Sequence, residues 1–185
     1  VRRYRHLILD RDGVLNVEGS SDEPVTESTF RWENGSREAL GLLTGAGTLL
    51  SVATNQSAVG RGLITLGALA EVHQRLRLEA EDAGARLAGI YFCPHAPEDG
   101  CLCRKPRPAL LQQAIQASGI PAGETLFVGD ALRDLLAARG AGVDFVLVRT
   151  GKGEATRRLP EASGVPCFDN LLSLAQHLSS ESHET

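Results

Sequence analysis

Short runs of apolar residues alternate along the chain with longer stretches in which apolar positions recur every three or four residues. The runs predict strands at His6–Leu9, Thr48–Ala53, Gly89–Phe92, Thr125–Val128 and Phe145–Val148, with a weaker one at Pro166–Phe168. All but the last are rich in Val, Ile, Leu or aromatic residues. Helical spacing predicts Ser36–Thr44 after the turn pair Asn34-Gly35, and Leu66–Ala83 ending at Gly84. It also predicts Pro108–Ser118, opened by a helix-initiating proline and closed before Gly119, and two more helices at about Ala131–Arg139 and Leu171–Leu178. This rhythm is that of a doubly wound α/β fold, a mostly parallel sheet covered on both faces. No internal repeat, low-complexity tract or linker interrupts it, so one domain over 1–185 is expected, with residues 179–185 frayed.

Composition agrees with one domain, because 185 residues with 42% hydrophobic content can bury one substantial core but hardly two. Nineteen basic and twenty-three acidic side chains leave a formal charge of −4, and no five or six like charges run together. That pattern argues against a general nucleic-acid binder, so an anionic substrate has to be met by local positive charge. No apolar run approaches the roughly 18 residues of a membrane span, and the hydrophobic stretch after the Arg-rich start is too short for a signal peptide. The chain is expected to be a soluble, cytoplasmic monomer. It begins at Val1 and contains no Met, so an N-terminus altered by processing or trimming is expected as well.

In open α/β sheets the ligand crevice lies beyond the carboxyl ends of the strands. The residues at those ends are unusually polar. After the first run come Asp10 and Asp12; after the second, Thr54 and Asn55; after the fourth, Gly129 and Asp130, with Asp134 one helical turn on. Taken alone, Asp-x-Asp-Gly is also an ordinary turn. In extended chain, however, residues two apart point to one side, so Asp10 and Asp12 can face a crevice that Asp130 joins from another strand. Three carboxylates there repel one another without a hard cation, and Mg²⁺ typically takes one or two carboxylates together with phosphate oxygens and water. A phosphate site is the natural inference.

Beyond the third run lie Cys93, His95, Cys101 and Cys103, followed by Arg104 and Lys105. Cys-x-His followed five residues later by Cys-x-Cys offers three thiolates and one imidazole, a closed tetrahedral Zn²⁺ set with no position left for water. Separate buried thiols or a disulfide are the alternatives. A structural zinc would pin the loop 93–103 that delivers Arg104 and Lys105. Cys167 lies outside this set and reads as a small core residue.

The segments LILDRDGVLN, SVATNQSAVGRG, CRKPRP and FVGDALRD resemble, in order and character, the four motifs of the haloacid-dehalogenase (HAD) type phosphatases. With the Cys/His cluster they resemble the histidinol-phosphatase-related group of that family, over nearly the whole chain from Leu7 to about Leu178. The resemblance implies a HAD-like Rossmannoid sheet with a minimal cap. It implies that Asp10 is the nucleophile and that Asp12 is the general acid and base, with a pKa raised by its surroundings. It places Thr54 and Lys105 on the transferring phosphoryl oxygens. Mg²⁺ would be held by Asp10, the Asp12 backbone carbonyl and Asp130. Asp134 is either a supporting residue behind them or a solvated acid on a helix face.

Asn55, Gln56, Ser57, Arg61 and Arg104 are the implied substrate contacts, although either arginine can also be read as a solvated surface residue. The loop Val17–Arg31 would close over a sugar, but its Glu18-Gly19-Ser20-Ser21 matches the family pattern loosely, and Ala131 stands where many relatives carry Lys or Ser. The implied substrate is a small phosphorylated sugar, a heptose 1,7-bisphosphate losing its C7 phosphate in ADP- or GDP-heptose biosynthesis. Histidinol phosphate is the main competitor. A polynucleotide 3′-phosphatase and a non-catalytic, zinc-stapled interaction domain are further alternatives.

Overall fold

The computed structural model describes residues 4–181. Six strands, β1 (His6–Leu9), β2 (Leu49–Asn55), β3 (Leu87–Cys93), β4 (Thr125–Gly129), β5 (Asp144–Val148) and β6 (Cys167–Phe168), form one sheet in the order β3-β2-β1-β4-β5-β6. Every neighbouring pair is parallel. The helices are α1 (Ser36–Gly45), α2 (Ser57–Gly60), α3 (Leu66–Asp82), α4 (Ala109–Ser118), α5 (Leu132–Ala141), α6 (Gly153–Thr156) and α7 (Leu171–Glu181). Among the described residues, no helix is long and apolar enough to cross a membrane.

The centre of the sheet is buried on both faces, which is why β1 reads as an unbroken apolar run. Leu7 and Leu9 turn to one face, where they join Val52 and Val128 with residues of α1, α3 and α7. Ile8 turns to the other face, with Ala53, Phe127 and residues of α4 and α5. His6 is the one polar residue of β1 and is fully buried. Its Nε2 lies 2.9 Å from Ser51 Oγ and its Nδ1 lies 3.5 Å from Thr125 Oγ1.

The chain winds outward from β1 through β2 to β3, then returns to place β4 on the other side of β1. The β1/β4 boundary is therefore the topological switch point, where crossover connections diverge and leave a crevice at the strand ends. The predicted strands and five longer helices are all present with small shifts of boundary. β2 and β3 run farther than expected because Thr54 and Asn55 stay in register with Phe92 and Cys93, so two candidate site residues and the first cysteine of the cluster sit on rigid strand. The short helices α2 and α6 have too few residues to show a period. α7 continues through Ser179 and Ser180 to Glu181, and residues 182–185 of the expected frayed tail lie outside the described residues.

Candidate active site

The carboxyl ends of β1 and β4 bring Asp10 and Asp130 together in the crevice. Asp10 continues the sheet pairing, its N–H donating to Val128 O at 2.9 Å, and its Oδ1 accepts from Arg11 N at 2.7 Å. Asp130 is completely buried; its Oδ2 accepts from Lys152 N at 2.8 Å, while its Oδ1 is buried without a partner. Gly13 and Gly151 crowd against Asp130 with positive φ, and a Cβ on either would collide with its Oδ2. Only glycine fits both the backbone conformation and the approach.

Carboxylate oxygens of Asp10, Asp130 and Asp134 all lie within 4.8 Å of one another. Burial, followed by the field of Asp134, pushes Asp10 up to about 7 against the opposing pull of Lys105 and Arg133. Burial and Asp134 likewise push Asp130 up to about 6. An all-oxygen set with one unmatched buried oxygen and pKa values raised by crowding suits a hard cation such as Mg²⁺, which would relieve both the repulsion and the orphaned acceptor. Asp134, expected either as a supporting residue behind the site or as a solvated acid, is buried as the third member. The Asp12 side chain is not in this set.

Lys105 forms the floor of the site, 1% exposed. Its Nζ donates to Ala53 O at 2.8 Å and pairs with Asp10 Oδ1 at 3.0 Å and Asp134 Oδ1 at 2.7 Å. Asn55 fixes the backbone there: its Nδ2 donates to Lys105 O and its Oδ1 accepts from Lys105 N, each at 3.0 Å. Both polar ends of Asn55 are thus engaged in positioning Lys105. Gln56 Nε2 reaches Thr54 Oγ1 at 2.8 Å and Asp12 Oδ2 at 2.6 Å, tying the end of β2 to the loop after β1.

Asp12 is held differently from the expectation. Arg11 Nη2 contacts both its oxygens, at 2.9 and 3.1 Å, and Asn16 Nδ2 donates to Oδ1 at 2.9 Å. Burial pushes the Asp12 carboxyl up, but the Arg11 charge and the hydrogen bonds from Asn16, Arg11 and Gln56 outweigh it and hold Asp12 below the usual carboxylate range. The raised pKa expected for Asp12 is therefore corrected for the resting site. Its cause is Arg11, whose almost fully buried guanidinium lies against Asp12 and whose Nη1 is also 3.3 Å from His73 Nε2.

A cleft of about 400 Å³ opens beside these residues, lined by Asp12, Asn55, Gln56, Ser57, Arg61 and Arg104, as expected, and by the loop residues 18–21, 24 and 25, whereas Asp10, Thr54, Lys105 and Asp130 are buried and do not line it. The loop is anchored through buried Val25 and Phe30, through Arg61 Nη1 donating to Ser21 O at 3.0 Å, and through a 2.6 Å ion pair between Lys152 and Glu18. Arg104 Nη1 lies 3.4 Å from His95 O. Arg133 and Lys152 also line the cleft and were not singled out from sequence. The one available signal was their place: Arg133 three residues after Asp130, and Lys152 just after a strand end.

The four cluster ligands converge beside the site. Cys93 Sγ lies 3.5 Å from both His95 Nδ1 and Cys101 Sγ, His95 Nδ1 is 3.2 Å from Cys103 Sγ, and Cys101 and Cys103 sulfurs are 3.6 Å apart. All four cysteines are free thiols, so the disulfide alternative is absent. A tetrahedron with Zn–S bonds of ~2.3 Å has edges of about 3.7 Å, slightly shorter where nitrogen is a vertex. The set fits Zn²⁺. Cys167, expected as a core residue, is exposed on the short edge strand β6.

Comparison with known proteins bears on what this arrangement serves. The HAD-hydrolase-like family matches residues 102–174, the segment that carries Lys105, Asp130 and Asp134. The D-glycero-beta-D-manno-heptose-1,7-bisphosphate 7-phosphatase of Neisseria meningitidis serogroup A is 41% identical over 182 residues, covering 95% of this chain and 95% of the relative. The chain belongs to this family of HAD-type phosphatases. Another heptose-bisphosphate phosphatase, from Pseudomonas aeruginosa, is 42% identical over 172 residues, covering 93% of this chain and 96% of the relative. The crystal structure of the D,D-heptose 1,7-bisphosphate phosphatase of B. bronchiseptica, complexed with magnesium and phosphate, superposes with a TM-score of 0.88 at 35% identity, covering 96% of this chain and 99% of that one. Members of the heptose-bisphosphate phosphatase family thus share the full architecture, from β1 to the C-terminal helix.

Proposed function

We infer that this protein hydrolyses the C7 phosphate of D-glycero-D-manno-heptose 1,7-bisphosphate, a step in ADP- or GDP-heptose biosynthesis. The observation that carries the reading is the Asp10–Asp130 carboxylate pair, with its unmatched buried oxygen, set beside Lys105, whose backbone is held by Asn55 in the lining of a cleft with a basic rim. The relatives' names supply the sugar and favour its β anomer. The histidinol-phosphate alternative is not favoured, because Arg61, Arg104, Arg133 and Lys152 around the cleft suit a second anionic group better than a cationic amine.

Asp10 attacks phosphorus to give an aspartyl-phosphate, and the C7 alkoxide leaves with a proton from Asp12. Asp12 next takes a proton from water, whose oxygen attacks the aspartyl-phosphate and regenerates Asp10 as inorganic phosphate departs. At rest Arg11, Asn16 and Gln56 hold Asp12 as an anion. Entry of the anionic phosphoryl group raises the pKa of Asp12 and loads it with the proton that the leaving group needs. Lys105 and Thr54 hold the transferring oxygens, and Lys105 offsets charge that accumulates on them. Asn55, Gln56 and Ser57 shape the base of the cleft, while Arg61 and Arg104 take the C1 phosphate and sugar oxygens. Mg²⁺ held by Asp10, Asp130 and the Asp12 carbonyl would neutralise charge between nucleophile and substrate.

Zn²⁺ at Cys93, His95, Cys101 and Cys103 would be structural, since four protein ligands leave no open position. Free thiols suit a reducing cytoplasm, and a cleft complete within one chain suits a monomer. The reading is tested by measuring kcat/KM, with Mg²⁺ present, for both heptose 1,7-bisphosphate anomers and for histidinol phosphate. A preference for a heptose bisphosphate is expected, and equal or better use of histidinol phosphate overturns it.

A further inference from the structure

Each of the other basic side chains lining the cleft has a partner: Arg11 has Asp12, Arg61 the Ser21 carbonyl, Arg104 the His95 carbonyl, and Lys152 has Glu18. Arg133 differs. Placed in the first turn of α5, it forms no hydrogen bond or ion pair among the described residues, and its Nε is buried without a partner. Yet it stands in the fields of Asp10, Asp134, Asp130 and Glu18, with Asp10 the strongest. Arg133 lines the cleft next to Asp12 and the buried acids, with no carboxylate among the described residues within pairing distance, so its guanidinium is left for an anionic group that enters the cleft.

We propose that Arg133 is a catalytic residue whose guanidinium takes an oxygen of the transferring phosphoryl group from the cleft side, complementing Lys105 on the floor. The inference rests on the phosphatase reading above. Its fork matches phosphoryl oxygens, and a second fixed cation stabilises the charge that spreads over them during transfer. A residue serving the reacting phosphate acts on every monoester. One serving the far end of the sugar acts only on the bisphosphate.

The test compares wild type with Arg133→Ala, Arg133→Gln and Arg133→Lys, all loaded with Mg²⁺. Substrates are 4-nitrophenyl phosphate and heptose 1,7-bisphosphate, and inorganic phosphate serves as a competitive inhibitor. Loss of charge-assisted hydrogen bonds predicts kcat/KM lower by roughly 10- to 100-fold on both substrates alike. Phosphate inhibition weakens in parallel, and Lys restores part of each. Arg133→Gln keeps the aliphatic stem and a polar end without the charge, so an unchanged unfolding midpoint separates the effect from misfolding should Arg133→Ala fail to fold. A loss confined to the bisphosphate, or unaltered phosphate inhibition, overturns the proposal. Failure of the heptose reading is distinguishable, since it shows in wild type as no preference for the bisphosphate and leaves the aryl-phosphate result standing.

Discussion

Lys105 Nζ sits between two buried carboxylates, 2.7 Å from Asp134 Oδ1 and 3.0 Å from Asp10 Oδ1. Asp134 Oδ2 also accepts from the N–H groups of Asp130 and Ala131, at 3.3 and 3.1 Å. The acid that could have been a solvated helix-face residue is thus fully buried, and it joins the lysine on one loop to the first turn of α5. Lys105 thus shares its charge between Asp134 and Asp10, the nucleophile of the proposed reaction. Asp134→Ala leaves Lys105 with Asp10 as its only carboxylate partner and strands two backbone donors, which predicts a loss of about 1.5–3 kcal/mol in unfolding free energy together with a fall in turnover. Urea denaturation checks it, and a loss below about 1 kcal/mol would show that the pair carries no such weight.

The second prediction concerns the thiol cluster. Purified protein is expected to hold one tightly bound zinc per chain, and His95→Ala or Cys101→Ser to reduce it. The cluster flanks Arg104 and Lys105 in sequence, and Arg104 touches the His95 carbonyl, so loosening it displaces both cations. Activity and unfolding midpoint should fall together in these variants. Elemental analysis finding a zinc-free protein with full activity and unchanged stability would refute the assignment.

The third prediction is a pH dependence of stability. Burial lowers His6 from 6.5 to about 4. Its folded pKa lies below its unfolded one, so the unfolded chain binds more protons between these values, and stability present above pH 6.5 is lost as pH falls toward 4. The displacement corresponds to about 3 kcal/mol. Burial and the nearby Arg11 lower His73 in the same direction, to about 3, so some acid sensitivity remains without His6. Unfolding free energy measured from pH 7 to 4.5 should fall less steeply in His6→Gln than in wild type. Identical slopes would place the acid sensitivity elsewhere.

Where burial is two-sided, as in β1 and β4, the strands could be read directly as apolar runs, and the polar residues that follow them stood out as site candidates. Asp10, Asp130 and Lys105 were found that way, and the structure brings all three together. What could not be read is what depends on partners distant in sequence. Asn55 lines the cleft expected for substrate, but nothing local shows that its amide also holds the Lys105 backbone, fifty residues away. Asp12 was expected to have a raised pKa, and nothing local shows that Arg11 folds back onto it while His73 faces Arg11 from α3. Arg133 looks in sequence like any helix-face arginine; only the cleft around it distinguishes it. Helices of four residues, α2 and α6, carry no period by which to recognise them.

The most direct test of the central claim is which phosphate leaves. Heptose 1,7-bisphosphate is incubated with wild-type enzyme and Mg²⁺, and the products are followed by ³¹P NMR, with Asp10→Asn as the control. One inorganic phosphate per sugar, a retained C1 phosphate signal, loss of the C7 signal and no turnover by Asp10→Asn are predicted. Release of the C1 phosphate, or wild-type turnover by Asp10→Asn, would contradict the account.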